Sequence, residues 1–478
     1  MANQLDMTKG KPFGLIVKFI IPVVLGNIFQ QLYNMVDTII VGRFVGLDAL
    51  AAVGATGTIS FLILGFALGL TSGFTVLTAQ RFGAGDEKGL KLSVTNAIVL
   101  SFAAAVILTI ISTAGMKKLL VIMHTPENIF QMSYDYIIII CTGMIFTIFY
   151  NVMASLLRAV GNSRAPLYFL IISALLNIVL DLVLIKNFGM GVKGAAYATI
   201  ISQGISGILC FFYTLNKVKL LVPDKETMRI DGMCMRNQLS IGIPMALQFS
   251  ITAVGTIMVQ TALNKFGSVV VASYTAANKA GQLATLPYSA MGVAMSTYSA
   301  QNRGINDIGR IKKGTLVSSI MSIVYSIAIY GVAILTLPVL MRLFVDTGSD
   351  VPFEQILEYG RTYILISGIC YIPLGEIFIY RNVMQGCGFS LMAMIGGIVE
   401  LISRAIVSTV ASAHQSFAGV CAADPVTWLV TAIFLMISYK FTVLKMDKDK
   451  KEFHAKKSRA LAKAANPSEG RPDSDEIR

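Results

Sequence analysis

The sequence predicts an all-α polytopic membrane protein with twelve transmembrane helices in two pseudo-symmetric six-helix bundles. The 478 residues are 55% hydrophobic and only 14% charged, with a mean hydropathy of +0.70, whereas soluble domains carry about 25% charge. The apolar runs reach roughly 20 residues without strict alternation, which is typical of membrane-crossing helices rather than barrel strands. The chain also contains an internal repeat, which predicts the two bundles.

Apolar segments follow one another along nearly the whole chain. The first is too long for the apolar core of a signal peptide, so we expect it to be retained as a helix. Several exceed the ~20 residues needed to cross a bilayer, so we expect tilt or protruding ends. The predicted spans cover about 14–41, 48–79, 92–115, 129–156, 165–186, 194–216, 237–263, 269–299, 314–343, 356–384, 389–411 and 416–444.

The repeat relates the two halves in the same orientation, because six spans return the chain to its starting side. Parallel repeats of this kind recur in transporters. The matched features are Ala79-Gln80-x-x-Gly83 with Ala300-Gln301-x-x-Gly304, Ile21-Pro22 with Ile243-Pro244, Tyr136 with Tyr363, and Gly161 with Gly388. The sequence therefore predicts an N-terminal lobe 1–222, a cytoplasmic linker 223–236, a C-terminal lobe 237–444 and a cytoplasmic charged tail 445–478.

The basic residues explain the net charge of +13 without a nucleic-acid partner, since they lie in short loops and in the tail rather than on one soluble face. Loops on one side of the predicted membrane are richer in Lys and Arg, so we expect that side, with both termini, to be cytoplasmic. The tail is predicted to be disordered or a weak surface helix. The six cysteines are scattered without a CxxC motif, which disfavours disulfides and zinc.

Asp37 and Asp181 lie inside long apolar runs, where an ionisable group costs roughly 2.5 kcal/mol or more and indicates function. Asp37 is six residues from Arg43 and Asp181 is five from Lys186. At 1.5 Å per residue, both carboxylates are predicted roughly 8–9 Å inside the outer edge of the membrane. They can therefore meet. The alternative, capping or pairing with a buried cation, is disfavoured because the N-terminal half has no Lys or Arg at that depth.

Three further residues are predicted at the same depth. Asn177 shares a helix face with Asp181, Thr199 lies at the outer end of the next span, and Ala195 lies one turn nearer the outside. Two carboxylates, an amide oxygen and a hydroxyl suit a hard cation such as Na⁺. They equally suit a proton, because neighbouring carboxylates raise each other's affinity for it. In the repeat, Asp181 aligns with Ser408, so the second half does not copy this site.

The C-terminal half has buried charges of its own. Glu400 and Arg404 are four residues apart and are predicted to form a structural ion pair across one helical turn. Other residues are candidates for lining a central substrate cavity, with ordinary packing or an internal ion pair as the alternative. These cavity candidates are Gln30, Tyr33, Asn34, Tyr150, Met153, Lys279, Met291 and Glu376.

Several motifs together resemble the MATE (multidrug and toxic compound extrusion) transporters over residues 8–444. The motifs are Asn27-x-x-Gln-Gln-Leu-Tyr-Asn-x-Val-Asp37-Thr-x-x-Val-Gly-Arg43, Ala-Leu-Ala-Ala-Val-Gly54, the two Ala-Gln-x-x-Gly turns, Leu157-Arg158-Ala-Val-Gly161-Asn and Asp424-Pro425-x-x-Trp428. The resemblance implies two six-helix bundles around a V-shaped cleft in a bacterial inner membrane. It also implies export of bulky, often cationic compounds in exchange for Na⁺ or H⁺.

The resemblance further implies that Asp37, Asn177, Asp181 and Thr199, with the Ala195 carbonyl, form a cation site. The acidic residue that the NorM-type branch has in its seventh helix is missing near Thr252, which favours a DinF- or MepA-like branch.

Two other functions are alternatives to antiport. A flippase or exporter for a lipid-linked saccharide or another metabolite would need several cations lining the cleft, and an enzyme would need a catalytic motif that the sequence lacks. We expect no cofactor beyond the coupling ion, and we expect a monomer whose partners are the lipid bilayer and small organic molecules.

Overall fold

The structure, a computed structural model, describes residues 4–344 and 352–465. Within these ranges the chain is helical and contains no β-strand. Short helices occupy Lys219–Leu221, Asn264–Phe266 and Phe417–Cys421. The long helices are α1 Pro12–Phe44, α2 Leu47–Gly83, α3 Glu87–Ile122, α4 Glu127–Thr142 followed by Met144–Ala159, α5 Arg164–Asp181 continued by a π-helix at Leu182–Asn187, α6 Gly191–Lys217, α7 Gly232–Leu263, α8 Ser268–Gly304, α9 Ile308–Phe344, α10 Phe353–Ile369 followed by Tyr371–Gly386, α11 Ser390–Ala413 and α12 Ala423–Ala465.

These helices give the twelve spans that the sequence predicts. In the described ranges, nine helices are each long and apolar enough to cross a membrane, and α4 and α10 bring the number to eleven if each bent pair is one span. The twelfth is α8, which is 37 residues long but carries a polar stripe. Helices α1–α6 form the N-terminal lobe and α7–α12 form the C-terminal lobe.

Helices α4 and α10 are bent at equivalent places in the repeat. The break in α4 falls at Gly143 with an angle of 47°, and the break in α10 falls at Cys370, 227 residues later, with an angle of 48°. Pro373 lies in the first turn after the second break, where proline is tolerated. Gly143 packs so closely against Ile200 of α6 that a Cβ atom would collide with that side chain. Close packing therefore accompanies the first bend, which has no proline.

The two lobes meet along a seam built on glycine. A Cβ at Gly69 would lie 2.6 Å from the Cα of Ala246, and one at Gly73 would lie 2.8 Å from the backbone nitrogen of Gly242. Helices α2 and α7 therefore cross in backbone contact. Toward one end of the bundle the seam continues onto α8, since a Cβ at Gly83 would collide with the Gln301 carbonyl. We call that end, which also carries the N-terminus and the linker, the terminal face.

The repeated Ala-Gln-x-x-Gly turns close the terminal face reciprocally. Gln80 of α2 donates to the Gly386 carbonyl at 2.9 Å, and Gln301 of α8 donates to the Ala159 carbonyl at 3.0 Å. Ala159 and Gly386 end the bent helices α4 and α10 and are equivalent in the repeat. Each glutamine thus ties its own lobe to the opposite one, and the two bonds are related by the pseudo-symmetry.

The N-terminal segment, residues 5–10, lies across this seam. The Met7 amide donates to the Gln301 side-chain oxygen at 2.8 Å, and Arg310 donates to the carbonyls of Met7 and Gly10, both at 3.0 Å. The Met7 side chain is fully buried. On the other lobe, a Cβ at Gly161, which has a φ of +81°, would collide with the Leu5 carbonyl. The segment therefore contacts both lobes.

Away from the terminal face the lobes separate. Among the described residues, the hydrogen bonds between lobes reach no farther than Asn27 with Ser289, at 3.0 Å, and the glycine contacts no farther than Gly65 with Phe249. Gly65 is the midpoint of α2. The outer halves of α1, α2, α7 and α8 therefore diverge, which gives the V-shaped cleft expected from the resemblance.

The ends of the lobes differ slightly from the predicted boundaries. Helix α7 begins at Gly232, so the end of the predicted linker 223–236 is already helical. The linker is tied to α3 by Lys88 with Glu226 at 2.9 Å and by Asn96, which accepts from the Asp231 amide at 2.9 Å. Helix α12 continues to Ala465, so the first part of the predicted tail is helical. Residues 466–478 lie outside the described ranges.

Candidate cation site and central cleft

Asp37, Asn177 and Asp181 are buried together within the N-terminal lobe. Their exposed fractions are 8%, 1% and 0%. The carboxyl groups of Asp37 and Asp181 face each other closely enough to share a hydrogen bond when one carries a proton. Asn177 lies one helical turn before Asp181 on the same face of α5. The structure therefore brings together the two acids that the sequence predicts to meet.

The local geometry of α5 changes directly after Asp181. The α-helix ends at this residue and continues as a π-helix over Leu182–Asn187. Such wide turns occur often at functional sites. Helix α6 packs tightly against this turn at Gly194, where a Cβ would lie 3.3 Å from the Ile185 backbone nitrogen. The small residue thus lets α6 approach the helix that carries Asp181.

Five of the six polar side-chain atoms of this cluster are buried without a hydrogen-bond partner in the part of the chain that the structure describes. Both oxygens of Asp181, one oxygen of Asp37, and both polar atoms of the Asn177 amide are buried and unpartnered. Buried polar groups in proteins are nearly always paired, because an unpaired one costs roughly 1–3 kcal/mol. No lysine or arginine in the described ranges pairs with either acid. The cluster therefore has the properties of a site that is completed by a cation.

Helix α6 supplies the other two predicted ligands. Ala195 is fully buried in an apolar cluster with Ile40, Val41 and Ile185, which surrounds the acids. Thr199 is half-buried one turn farther along α6. Helix α6 therefore packs Ala195 against the helices that carry the two acids, and Thr199 follows on the same helix.

Tyrosines border the site. Tyr33 lies on α1 beside Gln30 and Gln203 and close to Asp37, so it points into the lobe rather than into the cleft. Tyr136 of α4 lies near both acids and near Tyr33. Sequence reasoning identified Tyr136 only as a repeat match, because no spacing rule relates α4 to α1 or α5.

The donor set indicates which cations fit. It consists of carboxylate, amide and hydroxyl oxygens, which suit hard monovalent cations or a proton. The described residues contain no group of three or more His, Cys, Asp or Glu that could hold a metal ion. Oxygen donors of this kind are typical of sites for hard cations.

Polar stripes on α1 and α8 line the cleft. Asn27 contacts Ser289 across the seam, and the residues at helical spacing from each continue outward on the same faces. On α1 this places Asn34, which is exposed and about 20° around the helix from Asn27, toward the cleft. Asp37 lies roughly 80° from Asn27 on that side, and the exposed Gln30 lies between them, about 60° from Asn27 and beside Tyr33. Helix α1 therefore presents Asn34 to the cleft, Gln30 at the edge of the cleft, and Asp37 to the lobe interior. The equivalent stripe on α8 comprises Thr275, Asn278, Gln282 and Thr285.

Five of the predicted cavity residues do not line the cleft, and Tyr33, which points into the N-terminal lobe, is one of them. Tyr150 and Met153, 8% and 2% exposed, pack in the core of the N-terminal lobe, because the second segment of α4 lies against α3 and α6. Met291 is packed among α8, α10 and α12. Glu376 is 7% exposed and faces the interior of the C-terminal lobe. Lys279 is exposed on α8, at the edge of the polar stripe.

Glu400 and Arg404 belong to a larger buried network in the C-terminal lobe. They are 3.2 Å apart, as the helical spacing predicts. Glu400 also accepts from Arg381 of α10 at 2.7 Å, and Arg404 donates to Asp424 of α12 at 2.8 Å. The four charges balance. The sequence could not indicate Arg381 and Asp424 as partners, since they lie on other helices.

Known proteins are similar to this chain in sequence and in fold. The MatE family model matches residues 22–183 and 241–410. The probable multidrug resistance protein YoeA of Bacillus subtilis is 28% identical, over 88% of this chain and 92% of its own length. The multidrug export protein MepA of Staphylococcus aureus is 22% identical, over 82% of this chain and 86% of its own length.

The fold is also that of a solved structure described as the outward-facing conformation of a multidrug resistance MATE family transporter. The two chains superpose with a TM-score of 0.86 at 22% identity, covering 93% of this chain and 99% of the other. The family model covers more than half of the chain and both lobes. The chain therefore belongs to the MATE family and is a multi-pass membrane transporter rather than an enzyme.

Proposed function

We propose that this protein is a secondary antiporter that exports organic, often cationic compounds in exchange for Na⁺ or H⁺. The observation that carries the proposal is the buried, unpartnered cluster of Asp37, Asn177 and Asp181. Two carboxyl groups held together inside a lobe bind a cation far more favourably than they stay ionised and empty. The relatives named as multidrug resistance and export proteins support the substrate class.

The distribution of basic residues supports a cytoplasmic terminal face. With that orientation the cleft opens outward, and a cation enters from outside to bind Asp37, Asn177, Asp181, Thr199 and the Ala195 carbonyl. Binding can drive the cycle only if the site's affinity differs between the two conformations. Neutralising the acids removes the cost of burying them, so the cation-loaded lobe rearranges around α1 and releases substrate. Opening of the terminal face then delivers the cation inside.

The test is efflux from proteoliposomes under separately imposed sodium and proton gradients, with ethidium as the probe. We expect Asp37→Asn and Asp181→Asn each to reduce gradient-driven efflux to background, because each variant lacks one of the two carboxyl groups that bind the cation. Normal yield and a monodisperse elution profile would show that the variants fold.

The control is Glu226→Gln, which also neutralises one acid. Glu226 lies in the linker at the terminal face and pairs with Lys88 at 2.9 Å, with both side chains at least 75% exposed, and surface pairs contribute little. This variant is expected to transport like the unmodified protein. Undiminished efflux by both Asp37→Asn and Asp181→Asn would contradict the proposal.

A flippase for a lipid-linked saccharide is less well supported. It would need free cations in the cleft to hold a diphosphate. Arg404 is neutralised by Glu400 and Asp424 within the lobe. Lys279 is exposed at the edge of the polar stripe, but a single lysine does not supply the several cations that a flippase would need.

A further inference from the structure

Glu376 is a buried acid that the proposed N-terminal cation site does not use. It lies ten residues before Gly386, where α10 ends at the terminal face, so it is roughly 15 Å deep. This is the middle of a hydrocarbon core about 30 Å thick. In the repeat its counterpart is Phe149, so the acid is specific to the C-terminal lobe.

Glu376 has no counter-ion among the residues that the structure describes. One of its oxygens accepts a hydrogen bond from Ser319 of α9 at 2.7 Å, and the other is buried without a partner. Arg381 of the same helical segment is engaged by Glu400. The neighbouring network of two arginines and two acids is balanced and has no charge to spare. An ionised Glu376 would therefore be an uncompensated charge at the centre of the membrane.

The ionisable groups around Glu376 are tyrosines. Tyr380 of the same helix lies beside Ser319 and Glu376, and its ring is 5.1 Å from that of Tyr439 of α12. Tyr288 of α8 packs against Gly375. In the described ranges, no Lys, Arg, Asp or Glu of α8, α9, α11 or α12 lies close enough to Glu376 to interact with its charge.

A stripe of hydroxyl groups on α9 runs past Glu376. Thr315, Ser319, Ser322 and Ser326 are at most 7% exposed, and their spacing of four, three and four residues places them on one face of the helix. Thr315 and Ser326 bond back to their own helix. Thr315 also accepts from the Tyr439 hydroxyl at 3.3 Å. Hydroxyls both donate and accept, so they can relay a proton.

We propose that Glu376 and the hydroxyl stripe of α9 form a proton-binding site in the C-terminal lobe. Ser319 donates to Glu376 when the acid is ionised and accepts from it when the acid carries its proton. Thr315 lies one turn nearer the terminal face, so the stripe leads from Glu376 toward that face. This inference deepens the proposed antiport and rests on it: each lobe would have its own titrating carboxyl group.

A proton fits this site better than a metal cation. The surroundings are packed so tightly that a Cβ at Gly375 would collide with the Ser322 hydroxyl and lie 2.9 Å from the Tyr288 ring. A sodium ion needs several oxygen ligands and room for them, whereas a proton needs only the carboxyl group and one hydroxyl.

The test is infrared difference spectroscopy of the purified full-length protein between acidic and alkaline pH. We expect a carboxylic acid C=O band that titrates in the unmodified protein and is absent from Glu376→Gln. The band should persist in the double variant Asp37→Asn/Asp181→Asn, which assigns it to the C-terminal lobe. Retention of every acid band in Glu376→Gln would overturn the proposal.

Two serine variants test the stripe. Ser319→Ala removes the hydrogen bond to Glu376, so we expect the titration midpoint of the band to move. Ser318→Ala is the matched control, because Ser318 is also buried but contacts Met295, at 2.8 Å, rather than Glu376. In this variant the titration midpoint of the Glu376 band should stay unchanged. Equal behaviour of the two variants would overturn the role of Ser319.

A transport measurement separates this proposal from the proposed function. In ethidium-loaded proteoliposomes, Glu376→Gln should lose the acceleration that a proton gradient gives the unmodified protein, and unchanged acceleration would overturn the coupling role. If the double aspartate variant kept full gradient-driven efflux, the proposed function would fail while the infrared assignment of Glu376 stood.

Discussion

At the scale of single residues, Glu400 forms buried ion pairs with two arginines. Its carboxylate is 2.7 Å from Arg381 and 3.2 Å from Arg404, and all three side chains are at most 8% exposed. Glu400→Gln would leave two buried guanidinium groups with only Asp424 between them. Losing one partner of a buried ion pair costs roughly 3–5 kcal/mol, so we expect a markedly lower thermal unfolding midpoint by fluorescence-detected size exclusion.

The control for this prediction is Glu226→Gln. Glu226 pairs with Lys88 at 2.9 Å, but both side chains are at least 75% exposed. We expect its unfolding midpoint to equal that of the unmodified protein. Equal midpoints for the two variants would mean that the buried network does not stabilise the C-terminal lobe.

Residue-level prediction succeeded where one helix contains the whole pattern. The four-residue spacing gave both Asn177 with Asp181 and Glu400 with Arg404, since helical geometry fixes such neighbours. Whether Tyr150 and Glu376 face the cleft or the interior of a lobe could not be predicted, because which face of a helix meets its neighbours depends on packing between helices. Membrane helices are apolar on every side, so hydrophobic periodicity carries little information about that face.

At the scale of elements, the guanidinium group of Arg310 holds the N-terminal segment, residues 5–10, against the terminal face. Arg310 donates to Met7, Gly10 and the Asn302 side chain at 2.9–3.0 Å. Lysine has a single nitrogen and cannot reproduce this geometry. We expect Arg310→Lys to speed hydrogen–deuterium exchange of residues 5–10. Arg303→Lys is the control, because within the described ranges the Arg303 side chain bonds Asn306 alone, so this substitution should leave the exchange of residues 5–10 unchanged.

The elements themselves were largely predictable. The twelve spans follow from apolar runs, but the bends at Gly143 and Cys370 and the π-helix after Asp181 do not. Pro22, Pro244 and Pro287 lie inside helices that continue without a break, whereas Pro373 lies three residues after the break at Cys370. Bends set by the contact of one helix with another have no local signal in the sequence.

For the whole molecule, the glycine seam holds the terminal face closed. A methyl group at Gly83 would collide with the Gln301 backbone. We expect Gly83→Ala to separate the lobes at that face, which would raise the labelling rate of a cysteine placed in the seam. Gly57→Ala is the control on the same helix, where nothing lies within 4 Å. Similar labelling of both variants would show that the seam accommodates the methyl group without separating.

The reciprocal bonds of Gln80 and Gln301 have a consequence for the origin of the chain. Each lobe gives a glutamine and receives one on an equivalent carbonyl, which is the self-complementary pattern of a two-fold symmetric dimer interface. A half-length ancestor could have assembled from two identical copies through this same surface. After fusion through the linker, each copy could change independently of the other. The two lobes accordingly carry different residues at equivalent positions, such as Asp181 in one and Ser408 in the other.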